Sequence, residues 1–186
     1  MNLHRWLLRG LLVLCSLPAS GAETAPWAAL REGGHVMILR HAETDPGIGD
    51  PPQFRLGDCS TQRNLSPAGR AQAQQMGKNI AGQGISVTEV LSSRWCRCLD
   101  TAKLAFGRVT PAPVLDSFFG ESHKAAAQTA ALRKRIAAFR GPGNLVLVTH
   151  QVNITALTGL HPAMGEAVVL RPGAGDLEIV GRIAPP

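Results

Sequence analysis

Two apolar runs in this 186-residue chain each end in a histidine. Val36-Met37-Ile38-Leu39 runs into Arg40-His41, and Leu145-Val146-Leu147-Val148-Thr149 runs into His150. An imidazole can be a neutral nucleophile or general base near pH 7, and a guanidinium is a planar fork of donors that fits two oxygens of a carboxylate or phosphate. A single Arg-His pair at the end of an apolar run would read as a solvated corner. The recurrence of the histidine on a second run points instead to chemistry on an oxyanion.

Both runs have the length and composition of short buried strands, and glycine or proline precedes each: Gly33-Gly34 and Gly141-Pro142-Gly143. Between them, Val87 to Ser92 reads as another strand. Ala167 to Leu170 and Leu177 to Val180 read as final strands joined through Pro172-Gly173-Ala174-Gly175. Helices are expected from Ser66-Pro67, with Ser66 as N-cap, from about Arg94 to Phe106, from about Lys124 to Phe139 and near Asn153 to Leu157. Asp45 to Gln62, rich in Gly, Pro and Asp, is a long loop, and its length suits a wall or lid. Alternating strands and helices predict an α/β fold, a three-layer αβα sandwich with a mostly parallel central sheet. In such sheets the functional edge is the carboxyl end of the strands, where Arg40, His41 and His150 fall. Arg97 lies in the first turns of its helix, near a positive helix end, but periodicity leaves solvent exposure equally open.

Composition bounds the rest. With 45% hydrophobic and 17% charged residues, the chain suits one packed domain. Residues 1–22 read as a cleavable signal peptide: Arg5 and Arg9 precede the apolar run Leu11 to Leu17, and Ala19-Ser20-Gly21-Ala22 supplies small residues. An uncleaved anchor and a lipidated Cys15 are the weaker readings. A single domain, 23–186, is expected in the periplasm or outside the cell, with no stable membrane insertion. Loss of Arg5 and Arg9 leaves 17 basic against 13 acidic residues, so the formal charge falls from +6 to +4. The densest basic cluster, Arg133-Lys134-Arg135, has no interleaved aromatics and gives no case for nucleic-acid binding. Export leaves Cys59, Cys96 and Cys98 where disulfides form. Cys96 and Cys98 cannot face each other on a helix, so at most one of them pairs with Cys59.

Several motifs resemble those of the histidine phosphatase superfamily, which includes the cofactor-dependent phosphoglycerate mutases and many small phosphatases. They are Leu39-Arg40-His41-Ala42-Glu43-Thr44, Asn64-Leu65-Ser66-Pro67-Ala68-Gly69, Ser92-Ser93-Arg94-Trp95-Cys96-Arg97 with Thr101-Ala102, and Leu147-Val148-Thr149-His150. The resemblance implies that His41 is the nucleophile that takes the phosphoryl group and that Arg40, Arg97 and His150 bind its oxygens. It also implies a small phosphorylated substrate, with no metal and no cofactor. Asp116, four residues before Gly120, resembles the family's proton donor, with Glu121 in reserve. Arg94 competes for the role of Arg97, and the spacing to Thr101-Ala102 favours Arg97. Gly47 stands where the mutases usually have asparagine, so the small phosphatases are the nearer comparison.

Two rivals carry different expectations. A metal-dependent hydrolase could use His41, His150 and His161, but no metal-ligand spacing such as His-Glu-x-x-His is present. A catalytically inactive phosphate- or phosphosugar-binding protein of the same fold would keep the pocket without turnover.

Overall fold

The computed structural model describes residues 21–173 and 177–186. The proposed signal peptide therefore lies outside the described residues except for Gly21 and Ala22, which open the first helix, α1 (Gly21–Glu32). Among the described residues no helix is long and apolar enough to cross a membrane.

Six strands form one sheet: β1 (Val36–Arg40), β2 (Val87–Ser92), β3 (Thr110–Pro111), β4 (Asn144–Thr149), β5 (Ala167–Arg171) and β6 (Glu178–Ile183). Their order is β3-β2-β4-β1-β5-β6. Neighbours from β3 to β1 are parallel, whereas β5 runs antiparallel to β1 and β6 antiparallel to β5. The sheet is thus mostly parallel, as the alternating pattern predicts.

Continuous apolar strands require cover on both faces, because successive side chains point to opposite sides. Met37 and Leu39 of β1, Val146 and Val148 of β4, and Val169 of β5 join one core with Leu30 of α1, Met76 and Ile80 of α2 (Pro67–Gly82), and Ala102 of α3 (Cys96–Phe106). Val36 and Ile38, Leu145 and Leu147, and Leu170 join the other with Leu132 and Ile136 of α4 (Ala125–Ala137) and Ile154 and Leu157 of α5 (Gln151–Thr158). This is the three-layer αβα sandwich.

Two glycines let helices approach the site closely. A Cβ on Gly69 would lie 1.8 Å from the Glu43 carbonyl oxygen, and one on Gly77 would lie 2.1 Å from that of Ala105. The first contact seats the start of α2 against the segment after His41. There, Ser66 caps α2 by accepting from the Gly69 N–H and donates to Glu43 Oε1 at 2.9 Å.

The elements differ from the sequence expectation in several places: β3 is additional, β6 extends to Ile183, and the largest differences are at α3 and α1. Helix α3 starts at Cys96, not Arg94, because the backbone N–H groups of Ser93, Arg94 and Trp95 bond to Val148 O, Asp116 Oδ1 and Ser93 Oγ, outside any helical ladder. Helix α1 has no counterpart in the pattern reading. Pro26 lies inside it, and its packing on β6 places Pro26 against Gly181, a contact invisible to local periodicity.

Candidate active site

Parallel pairing of β1 and β4 sets Arg40 beside Thr149, so the residues that follow, His41 and His150, emerge together. The His41 N–H bonds the Thr149 carbonyl at 3.0 Å, and the two imidazole centroids lie 5.5 Å apart. β2 pairs with β4 on its other side and feeds α3, which brings Arg97 Nη2 within 3.5 Å of His150 Nδ1. Arg40, His41, Arg97 and His150 line one cavity of about 510 Å³. The first turn of α5, at Gln151 and Val152, also lines it and puts a positive helix end there.

His41 is held as a neutral imidazole. Its Nδ1 lies 2.9 Å from the carbonyl oxygen of Ala42, and a carbonyl can only accept, so Nδ1 carries the proton. Burial, and then the Arg97 guanidinium, push the pKa down to about 3. The ring is neutral at pH 7, with its lone pair on Nε2. Thr101 fixes the backbone around it, because its hydroxyl accepts from the Ala42 N–H at 3.0 Å and donates to Arg97 O at 2.7 Å.

Three arginines surround the cavity, one more than the sequence reading placed there: Arg40, Arg63 and Arg97. Each is anchored by Nη1, on Pro162 O at 2.9 Å, Gly47 O at 2.6 Å and Asp50 Oδ1 at 2.7 Å respectively. Each also has a buried Nε–H with no protein partner. Burial and mutual repulsion lower the pKa values of Arg40 and Arg63. Crowded like charges cost free energy that an oxyanion in the cavity would offset.

Among the described residues the one carboxylate lining the cavity is Asp50, from the 45–62 segment. Its oxygens accept from Arg97 Nη1 and Nη2, from the Arg63 N–H at 3.1 Å and from Trp95 Nε1 at 2.9 Å. Burial raises its pKa, but the Arg97 hydrogen bonds and charge, with the other donors, prevail and hold the carboxyl below its ordinary value.

Asp116 and Glu121 do not line the cavity. The Asp116 carboxylate is clasped by Arg94, whose Nε lies 2.7 Å from Oδ2 and whose backbone N–H lies 2.9 Å from Oδ1. Arg94 is thereby occupied at Asp116, while Arg97 faces the cavity. Asp116 reaches the site through Ser93: Ser93 Oγ lies 2.8 Å from His150 Nε2 and 3.4 Å from Asp116 Oδ1. Glu121 is a surface group paired with Lys124, whose hydrogen bond and charge lower its pKa. His161 is exposed, and among the described residues no three His, Cys, Asp or Glu side chains gather as a metal site.

The cysteine alternatives resolve as a Cys59–Cys96 disulfide. It ties the 45–62 segment to the first residue of α3, next to Arg97. Cys98 points the other way, with Sγ 3.5 Å from His150 Nε2 and its thiol pushed up to about 12 by burial.

Sequence reasoning missed Asp50, Arg63, Ser93 and Trp95 as members of the site. Asp50 stands in Asp50-Pro51-Pro52 and was legible only as a turn residue. Arg63 precedes the Asn64-Leu65-Ser66 helix start, and that adjacency was the available signal. Trp95 falls on the apolar face of its helix pattern and reads there as core.

The fold is α/β, with strand ends that carry two histidines beside three cavity arginines. The sequence profile of the histidine phosphatase superfamily (branch 1) matches residues 36–123. The match spans 88 of the chain's 186 residues, from β1 to the segment just before α4. No curated protein matches the chain at the sequence level. Among solved structures, a candidate alpha-ribazole-5'-P phosphatase from Escherichia coli K-12 is similar, with a TM-score of 0.62, 16% identity, and coverage of 83% of this chain and 97% of that one. The protein histidine phosphatase SixA, in complex with tungstate, gives a TM-score of 0.57 at 15% identity, covering 81% and 97%. Mycobacterial glucosyl-3-phosphoglycerate phosphatase, in complex with VO3, gives 0.58 at 17% identity, covering 78% and 96%. At these identities the likeness is one of fold.

Proposed function

We propose that the protein is a metal-independent phosphomonoester hydrolase that works through a covalent phosphohistidine on His41. The observation that carries this reading is the state of His41. Its proton is committed to the Ala42 carbonyl, which leaves the Nε2 lone pair in a cavity that three arginines line. In the first half-reaction Nε2 attacks phosphorus, the P–N bond forms, and the bond to the leaving oxygen breaks. Water then attacks phosphorus and passes a proton back to the group that protonated the leaving oxygen, the P–N bond breaks, and inorganic phosphate leaves with His41 restored. Charge spreads over the equatorial oxygens during each transfer, so Arg40, Arg97, His150 and the additional Arg63 act as their ligands. Asp116 is the assigned proton donor to the leaving oxygen; it is linked to the site through Ser93 and His150 and is clasped by Arg94, so donation requires that Arg94 first release its carboxylate. Glu121, on the surface, is the weaker candidate.

The mature protein, 23–186, is assigned to the periplasm or cell exterior, and the Cys59–Cys96 disulfide supports an oxidising compartment. One observation favours the alternative of a phosphate-binding protein without turnover. Among the described residues the single carboxylate lining the cavity, Asp50, is committed to Arg97 and is not free to donate a proton.

Hydrolysis of an aryl phosphate in the presence of EDTA, with wild type compared against His41→Ala, decides between them. Activity that survives EDTA and falls by at least about 10⁴ in the variant, together with phosphate trapped on wild-type protein by acid quench, is expected. Ordinary turnover by His41→Ala sinks the nucleophile assignment, and loss of activity to EDTA sinks metal independence.

A further inference from the structure

Five large apolar side chains are exposed among the described residues, and three of them, Ile48, Phe54 and Phe119, line the active-site cavity. Their exposures are 91%, 36% and 62%. They come from two separate segments that meet across the cavity mouth: a Cβ built on Gly49 would lie 3.6 Å from the Phe119 ring. A contiguous apolar surface kept in water at a cavity mouth is costly unless it has an occupant.

A run of rings joins this mouth to the nucleophile. Phe54 lies 5.6 Å from Trp95, Trp95 lies 5.3 Å from His150, and His150 lies 5.5 Å from His41, all between centroids. Arg40 and Arg97 sit with the histidines, Arg63 is bonded to Gly47 O beside Ile48, and Asp50 is saturated by four donors. Among the described residues, apart from the two histidines and Trp95, whose indole N–H is already given to Asp50, the neutral polar side chains lining the cavity are Ser117 and Gln151. A polyhydroxylated leaving group needs a donor or acceptor for each hydroxyl that it buries. This mouth offers few.

Resting on the phosphatase reading above, we propose that the phosphate ester taken by this site has an apolar leaving group, an alkyl chain or aryl ring of about six carbons or more. The phosphate lies among the arginines, and the apolar group lies along Trp95 against Phe54, Phe119 and Ile48. Sugar and polyol phosphates fit the anion site but leave this surface unused.

The test is calorimetric binding of n-alkylphosphonates from methyl to hexyl, which keep the anion constant and resist P–O cleavage, with 2,3-dihydroxypropylphosphonate as the hydroxylated control. Full burial of a methylene corresponds to about fourfold in affinity, and a mouth that leaves one side of the chain wet reduces this to about twofold. Hexylphosphonate is then expected to bind roughly thirtyfold more tightly than methylphosphonate. The control should bind no better than methylphosphonate. Phe54→Ser and Phe119→Ser, at exposed positions, should each flatten the dependence on chain length. Methylphosphonate binding with no gain along the series, or a control that matches hexylphosphonate, overturns the proposal and leaves the phosphatase reading standing. A steep series without turnover of hexyl phosphate supports the apolar site and overturns the phosphatase reading. Failure of every phosphonate to bind overturns both.

Discussion

The floor of the cavity comes from strand ends, where Arg40 closes β1 and His41 and His150 follow β1 and β4, whereas its outer wall comes from the 45–62 segment, most of which is exposed. The floor is held by parallel ladder bonds and by two apolar cores. The wall has one three-residue helical turn, Cys59–Thr61, and depends on point attachments: the Cys59–Cys96 disulfide, the Asp50–Arg97 pair and the bond from Arg63 to Gly47. A regular element positions chemistry through backbone geometry that many sequences share. An irregular one needs particular side chains at particular places. Asp50 illustrates this, since one carboxylate holds Arg97, Trp95 and the backbone of Arg63 at once.

The contrast can be broken at either end. Leu147 of β4 is fully buried, so Leu147→Ala should destabilise the protein by about 3 kcal/mol and loosen the floor, as read by denaturant unfolding. A loss below about 1 kcal/mol would mean that the strands are not what fixes the histidines. In the wall, Cys59→Ser opens a loop with a sequence separation of 37 and should cost about 2–4 kcal/mol. It should also raise KM more than it lowers kcat, because the nucleophile stays on the floor. A selective fall in kcat would show that the wall participates in the chemistry itself. The smallest effect is expected from Asp50→Asn, which keeps the shape but removes a negative charge. Inorganic phosphate should bind about fivefold more tightly, a gain of about 1 kcal/mol from screened Coulomb attraction. Weaker binding would show that Asp50 matters chiefly by holding Arg97 in place.

The same division separates what could be read in advance from what could not. Strands β1, β2 and β4 were legible because an apolar run flanked by turn residues has few other folds available, and the residues that follow them inherit the sheet edge. Helix α2 was legible from Ser66-Pro67, and the structure has Ser66 as its cap. Arg97 was ambiguous between solvent and site, since helical periodicity reports which side a residue is on and not what faces that side. Its burial depends on α3 packing beside β4 and on Asp50 arriving from 47 residues away in sequence. Asp116 carried a motif resemblance, yet its carboxylate is spoken for by Arg94, a pairing that local spacing does not encode.

The sequence by itself determined an α/β sheet with His41 and His150 at one edge, Arg40 beside them and a disulfide-capable cysteine set, because these follow from local hydrophobic pattern and covalent order. The tertiary structure alone decided that Cys96 and not Cys98 meets Cys59, that Arg63 and Asp50 enter the cavity, and that Phe54 and Phe119 frame one mouth. Each of those is a meeting between segments distant in the chain. Such meetings are fixed by how the helices pack on the sheet, a global property that no single stretch of residues carries.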